Sequence, residues 1–212
     1  GKGSITAGGD VFTEFLEYTT VKTKGNVQAN VILNSQVSAD QEVTLTGKKG
    51  LIAGGSVHGM LGISCITAGN MSEIRTGLHV GLKQETMEQR IDVNERYSKV
   101  NQELEDTVAS MAKIMRVRQQ SGELSEPLQK HLVELKRRKD EIYTRCMEIK
   151  KEANAMESMV LAAREAKIRV EGNIYHGVVI SIDNHDMVIN RDTSFMEYQC
   201  QNGIITGTVV VV

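Results

Sequence analysis

The sequence predicts an α+β fold: a parallel, right-handed β-helix, or solenoid, interrupted by a long antiparallel α-helical coiled-coil hairpin. Three observations carry this. Both flanks are glycine-studded and rich in β-branched residues, whereas residues 84–169 hold a single glycine, Gly122, and the chain's only proline, Pro127. That middle stretch has a sustained heptad pattern. The flanks contain glycine-led stretches that recur at solenoid-like spacing. The organisation expected is therefore 1–83 as a first β part, 84–169 as the hairpin, and 170–212 as the same β domain resumed.

Composition narrows the function classes. The 212 residues include no Trp, three Phe and five Tyr, so the aromatic payload of an ordinary globular core is missing and a stacked architecture is favoured. A formal net charge of −2 offers nothing to nucleic acid or to an anionic membrane. Residues 84–171 carry 17 Lys and Arg against 17 Asp and Glu, the balance of a solvated, ion-paired helical face. Cys65, Cys146 and Cys200 are isolated and odd in number, which suits a reduced, cytoplasmic setting. No apolar run is long enough for membrane insertion. The chain begins at Gly1 rather than Met, as a piece of a longer protein would.

In the first β part, Gly3-Ser4-Ile5-Thr6-Ala7, Gly25-Asn26-Val27-Gln28-Ala29 and Gly50-Leu51-Ile52-Ala53 begin alike, their glycines 22 and 25 residues apart. Alternation such as Val27-Gln28-Ala29-Asn30-Val31 predicts short strands. Units of this length fit β-helix coils, with Gly54-Gly55, Gly59 and Gly62 at corners. A glycine-rich antiparallel sandwich is the competing reading. One more strand is expected over 74–80.

The hairpin seam can be counted. Val93, Tyr97, Val100, Leu104, Thr107, Met111 and Ile114 follow 4-3 spacing on the first helix. Leu128, Leu132, Leu135, Lys139, Ile142, Cys146, Ile149, Ala153, Met156, Val160, Ala163 and Lys167 follow it on the second. Gly122 is placed to end the first helix, Ser125 to cap the second, and Pro127 to occupy its first turn. So short a link makes the helices antiparallel neighbours. Lys139 is expected to lay its stem on the seam and its charge in solvent, and the methionines to fill core or seam.

After the helices, Gly172-Asn173-Ile174 echoes Gly25-Asn26-Val27. The solenoid is expected to resume there, with a turn at Asp183-Asn184-His185-Asp186 and strands over 187–189 and 203–212. An unpaired valine run at 209–212 would be a sticky edge.

Little chemistry is legible. Gly47-Lys48-Lys49-Gly50 lacks the spacing and following helix of a phosphate loop, and reads as a basic turn. His58, His79, His131, His176 and His185 show no metal-ligand pairing. Asp183, His185 and Asp186 would need ligands from other coils. Acidic residues in the β parts are too scattered for the paired carboxylates of a β-helical glycosidase. The sequence therefore assigns no catalytic, cofactor-binding or metal residue.

Three segments together resemble a known family: Gly47-Lys48-Lys49-Gly50-Leu51-Ile52-Ala53-Gly54-Gly55-Ser56-Val57, the strand closing at Val80-Gly81 before the helices, and Val170-Glu171-Gly172-Asn173-Ile174-Tyr175-His176-Gly177-Val178 after them. The chain resembles the C-terminal part of the bacterial flagellar assembly protein A (FapA) family. It departs from the pattern at His58-Gly59, where a small residue is expected. The resemblance implies a cytoplasmic bacterial protein, a β-helical body with a projecting coiled coil, and a role in flagellar assembly or polar positioning through protein contacts, with no known catalysis and no cofactor.

The expected function is thus a non-enzymatic scaffold that meets other proteins through the coiled-coil arm, with self-association into a homo-oligomer as a further option and no nucleic acid or membrane insertion. The hairpin tip is the expected partner site: Gln119, Gln120, Glu123, Leu124 and Leu128. The alternative is a β-helical carbohydrate-active enzyme or ligand-binding module with the hairpin as lid.

Overall fold

The computed structural model describes residues 3–210. Among them the chain forms a parallel β-solenoid with two packed helices inserted. The coils have three faces. β1 (Gly3–Ala7), β2 (Val11–Phe12) and β3 (Phe15–Glu17) lay down the first, second and third face, and β4 (Thr19–Thr23) and β5 (Val27–Ala29) begin the next coil. β6 (Val31–Ala39) completes that coil's third face and turns directly onto the first face of the following one. β7 (Glu42–Leu45), β8 (Leu51–Gly59), β9 (Gly62–Cys65), β10 (Thr67–Ala68) and β11 (Thr76–Val80) continue the climb. Next come α1 (Gln84–Ser121) and α2 (Glu126–Ala163), followed by β12 (Lys167–Ile174) and β13 (Val179–Ile182).

The register is carried by aliphatic columns. Val21, Val37, Val57, Leu78 and Ile180 stack on the first face. Val27, Val43, Ile63 and Ile168 stack on the second. Ile32, Ile52, Ala68 and Ile174 stack on the third. All of these are buried, and each fully buried Val or Ile contributes about 1.5–3 kcal/mol. The scarcity of aromatics follows: all three Phe lie on the outside, with Phe12, Phe15 and Phe195 each at least 44% exposed.

The repeat differs from the one the glycines suggest. Successive coils begin sixteen residues apart, as the corner ladder shows: Asp10 Oδ1 accepts from Asn26 N at 2.7 Å, and Asn26 Oδ1 accepts from Glu42 N at 3.1 Å. The turn Gly47-Lys48-Lys49-Gly50 then adds four residues to one coil, so Val37 pairs with Val57. Gly3, Gly25 and Gly50 stand at a strand, a corner and the end of that turn, which are not equivalent places. Likewise Ile174 belongs to the third face whereas Val27 belongs to the second, so the echo between their segments is not positional.

One corner is turned by a left-handed residue in each coil, joined by a second at Gly55 in the third. Tyr18, Asn34 and Gly54 follow the register-matched Glu17, Leu33 and Ala53, with φ of 49°, 47° and 78°. At Gly55 (φ 86°) an added Cβ would stand 2.1 Å from the Ser35 carbonyl oxygen, so the close approach of the two coils requires glycine.

The top of the solenoid is antiparallel. β14 (His185–Val188) folds back on β13 through Asp183-Asn184, whose φ values of 48° and 64° are those of a type I′ turn. β15 (Thr193–Gln201) lies antiparallel on β12, and β16 (Ile204–Val209) on β15. β15 is absent from the sequence reading, yet Tyr198 on it is 3% exposed and belongs to the core. The expected strand over 203–212 is β16 as far as Val209, pairing with β15; Val211 and Val212 lie outside the described residues.

The helices form a second compact unit, Gln84–Met159; the first comprises the residues through Lys83 and from Val160 onward. Within the helix unit every counted seam position is buried or half-buried, and Val100, Ile142 and Cys146 form its centre with Tyr97, Leu104 and Ile149 against them. Arg90–Glu157, Arg96–Glu152 and the two pairs of Glu103 with Arg138 and Arg145 cross between the helices. Rising numbers on α1 meet falling numbers on α2, so the pair is antiparallel. α2 ends at Ala163, and Lys167, counted as a seam position above, lies instead in β12 beside Gly62 of β9.

Candidate functional site

The tip of the helix pair is built by its link. Gly122 (φ 80°) donates its backbone N–H to the Arg118 carbonyl at 3.0 Å, the left-handed termination expected of it. Ser121 Oγ lies within hydrogen-bond distance of the Val117 and Glu123 carbonyls, at 2.7 and 2.9 Å, with one proton to donate between them, and Gln129 Nε2 donates to the Leu124 carbonyl at 2.8 Å. These bonds fix the loop from both sides. Gln119, Gln120 and Glu123 are exposed, while Leu124 and Leu128 are half-buried. The tip therefore offers polar side chains around two partly covered leucines.

A different surface was not legible from the sequence. Beyond the seam, α2 exposes Val133, Met147 and Leu161, at 67%, 47% and 55%. They stand fourteen residues apart, close to four full turns, so they share one helix face. Tyr143, one turn before Met147, is 53% exposed. On α1, Val108 and Met115 are also exposed, seven residues apart. A second apolar period at fourteen residues was the available signal; the stronger 4-3 seam masks it.

The first face of the solenoid carries a polar column. Lys22, Ser38, His58, His79 and Ser181 are register partners on successive strands, and Asp186 pairs with Ser181 from β14. Their side chains alternate with the buried aliphatic column, as strand geometry demands. His58 Nε2 lies 3.1 Å from the Gly81 carbonyl, and Lys83 Nζ donates to Ser38 Oγ. Burial, with the Lys83 charge adding to it, lowers the His58 pKa to about 4. Its Nδ1 is buried without a partner among the described residues, consistent with a neutral ring donating through Nε2. Burial also lowers His79, against the pull of Asp186. Ser181 Oγ donates to Asp186 Oδ1 at 2.6 Å. The histidines 58 and 79 come into register only once the coil length is known, which is why the sequence separates them.

The remaining titratable residues singled out by the sequence are placed structurally. His185 Nδ1 lies 2.9 Å from the Asp183 carbonyl within its own turn, while Asp186 takes the Ser181 hydroxyl, so Asp183, His185 and Asp186 do not converge on one point. His176 sits between Glu73 (3.0 Å) and Asp192 (2.8 Å), whose hydrogen bonds raise its pKa. Asp192 is lowered in turn by its bonds to His176. This clamp ties the turn before β13 to the loops preceding β11 and β15. Cys65 is buried and its thiol is pushed up to about 12, the state of an inert core cysteine. No helix among the described residues is long and apolar enough to cross a membrane.

The family described as FapA, Flagellar Assembly Protein A beta solenoid domain, matches residues 1–205. No curated protein and no solved structure matches the chain.

Proposed function

Because the chain belongs to the Flagellar Assembly Protein A β-solenoid family, we propose that it is a non-enzymatic scaffold for flagellar assembly or polar positioning in the bacterial cytoplasm. In this reading the solenoid is a rigid platform. The helix pair is a coiled-coil arm that docks other proteins along α2 and at the tip residues Gln119, Gln120, Glu123, Leu124 and Leu128.

The observation that carries the reading is the α2 stripe of Val133, Met147 and Leu161. The helix pair consumes its own seam, and Val133, Met147 and Leu161 lie outside it on one side of α2. Such a face is what a partner helix reads as spaced anchors. The i,i+4 ion pairs along the two helices, all more than a third exposed, add little stability; their contribution is solubility.

The test is removal of residues 84–165 with a short linker in their place, leaving β12 whole. The deletion protein should keep the far-ultraviolet signature of the solenoid and lose capture of flagellar components from the source bacterium. Unchanged capture would exclude the arm as the docking element.

A further inference from the structure

The first face of the solenoid holds a cleft of about 430 Å³ that the scaffold role leaves unused. Its floor is set by one missing side chain. Outward positions Gln36, Ser56, Gly77 and Val179 stand in register on β6, β8, β11 and β13, and Gly77 alone leaves a gap. An added Cβ at Gly77 would lie 2.5 Å from His79 Nε2, so the imidazole leans along the strand over the gap and forms one wall. His58, His176 and His185 each have a hydrogen-bond partner; the His79 ring has none among the described residues. As a neutral imidazole it presents one donor and one acceptor to whatever enters.

Arg75 and Asp186 bring opposite charges to the cleft. The Arg75 carbonyl accepts the Gly55 N–H at 3.1 Å, which fixes the backbone, while the exposed guanidinium joins no ion pair among the described residues. Asp186 joins none either; the hydroxyl of Ser181 orients one of its oxygens and leaves the other available. A guanidinium and a carboxylate that line one cleft without forming an ion pair fit a ligand that carries both complementary charges. The volume falls within the range of small-molecule sites.

We propose that this cleft binds a small zwitterion, a free α-amino acid, with its carboxylate on Arg75 and its ammonium group on Asp186. Bidentate pairing suits guanidinium and carboxylate. The carboxylate of Asp186 accepts from the ammonium while Ser181 holds it in place. His79 and Ser56 border the ligand's side chain and select among amino acids.

The site lies wholly within the solenoid unit, so its failure would leave the scaffold role standing. The experiment is a two-dimensional NMR titration of the whole chain with each standard L-amino acid, observing the His79 ring and the Gly77 amide. Saturable shifts are expected for at least one of them. Its N-acetyl derivative and its carboxamide, each lacking one charge, should bind at least 10-fold more weakly. Arg75→Gln and Asp186→Asn, both at exposed positions, should each weaken binding at least 10-fold with an unchanged spectrum elsewhere. Absence of saturable shifts for every amino acid up to about 10 mM, or equal binding of the derivatives that lack one charge, would overturn the proposal.

Discussion

His58 shows how a single polar residue on an otherwise unreactive face couples this fold to pH. In the unfolded chain its ring protonates near 6.5, and in the folded protein only near 4. The unfolded state therefore binds the proton first, and stability is lost as pH falls through this window and levels off below it. Allowing for partial exposure, the loss is on the order of 2 kcal/mol. Urea unfolding between pH 7.5 and 4 should show it, and His58→Gln should flatten the curve while keeping a donor for the Gly81 carbonyl. His176 acts in the opposite sense, since its raised pKa makes its contribution present at low pH and lost on the alkaline side. Glycine is decisive at another single position. Gly55→Ala forces a Cβ into the Ser35 backbone at positive φ, a strain of about 1–3 kcal/mol before the steric overlap is counted. Gly8→Ala, with open space around it, should leave the thermal midpoint unchanged.

At the scale of elements, the helix pair and the coils differ in how far the sequence announced them. The seam was readable because its 4-3 positions on the two helices are apolar apart from Thr107 and Lys139, and the burial of Val93, Val100, Ile114, Leu132, Ile142 and Cys146 follows it. Gly122 and Pro127 were equally readable, since backbone geometry leaves them few places to stand. The coil period was not. Its markers are Val21, Val27 and Ile32, which are ordinary in any strand, whereas the conspicuous glycines mark corners of different kinds. Asn202-Gly203, with φ of 53° and 78°, is a type I′ hairpin signal that would have revealed β15 and β16; flanking residues such as Glu197 and Gln199 obscured the strand. The seam also sets a prediction. Ile142→Ala should destabilise the helix pair by about 2–4 kcal/mol. Glu103→Gln, which removes two ion pairs whose arginines are exposed, should cost far less than the core truncation. Helical ellipticity at 222 nm during thermal unfolding separates the two outcomes.

For the molecule as a whole, the antiparallel strands at the end of the solenoid decide what it can join. β13 and β12 have their outer edges taken by β14 and β15, so these two strands cannot pair with a further parallel coil. Removing 193–210 should expose the β12 edge and the apolar column beneath Tyr198, and turn a defined species into an aggregating one by light scattering. The central claim, that the arm docks flagellar components through α2, is tested most directly by proximity labelling in the source bacterium with the wild-type chain and with Val133→Glu/Met147→Glu. Both positions are exposed, so the double variant should fold with unchanged helicity. The account predicts that flagellar proteins labelled by the wild type disappear from the variant's set. An unchanged set, with the variant folded and equally abundant, would contradict it.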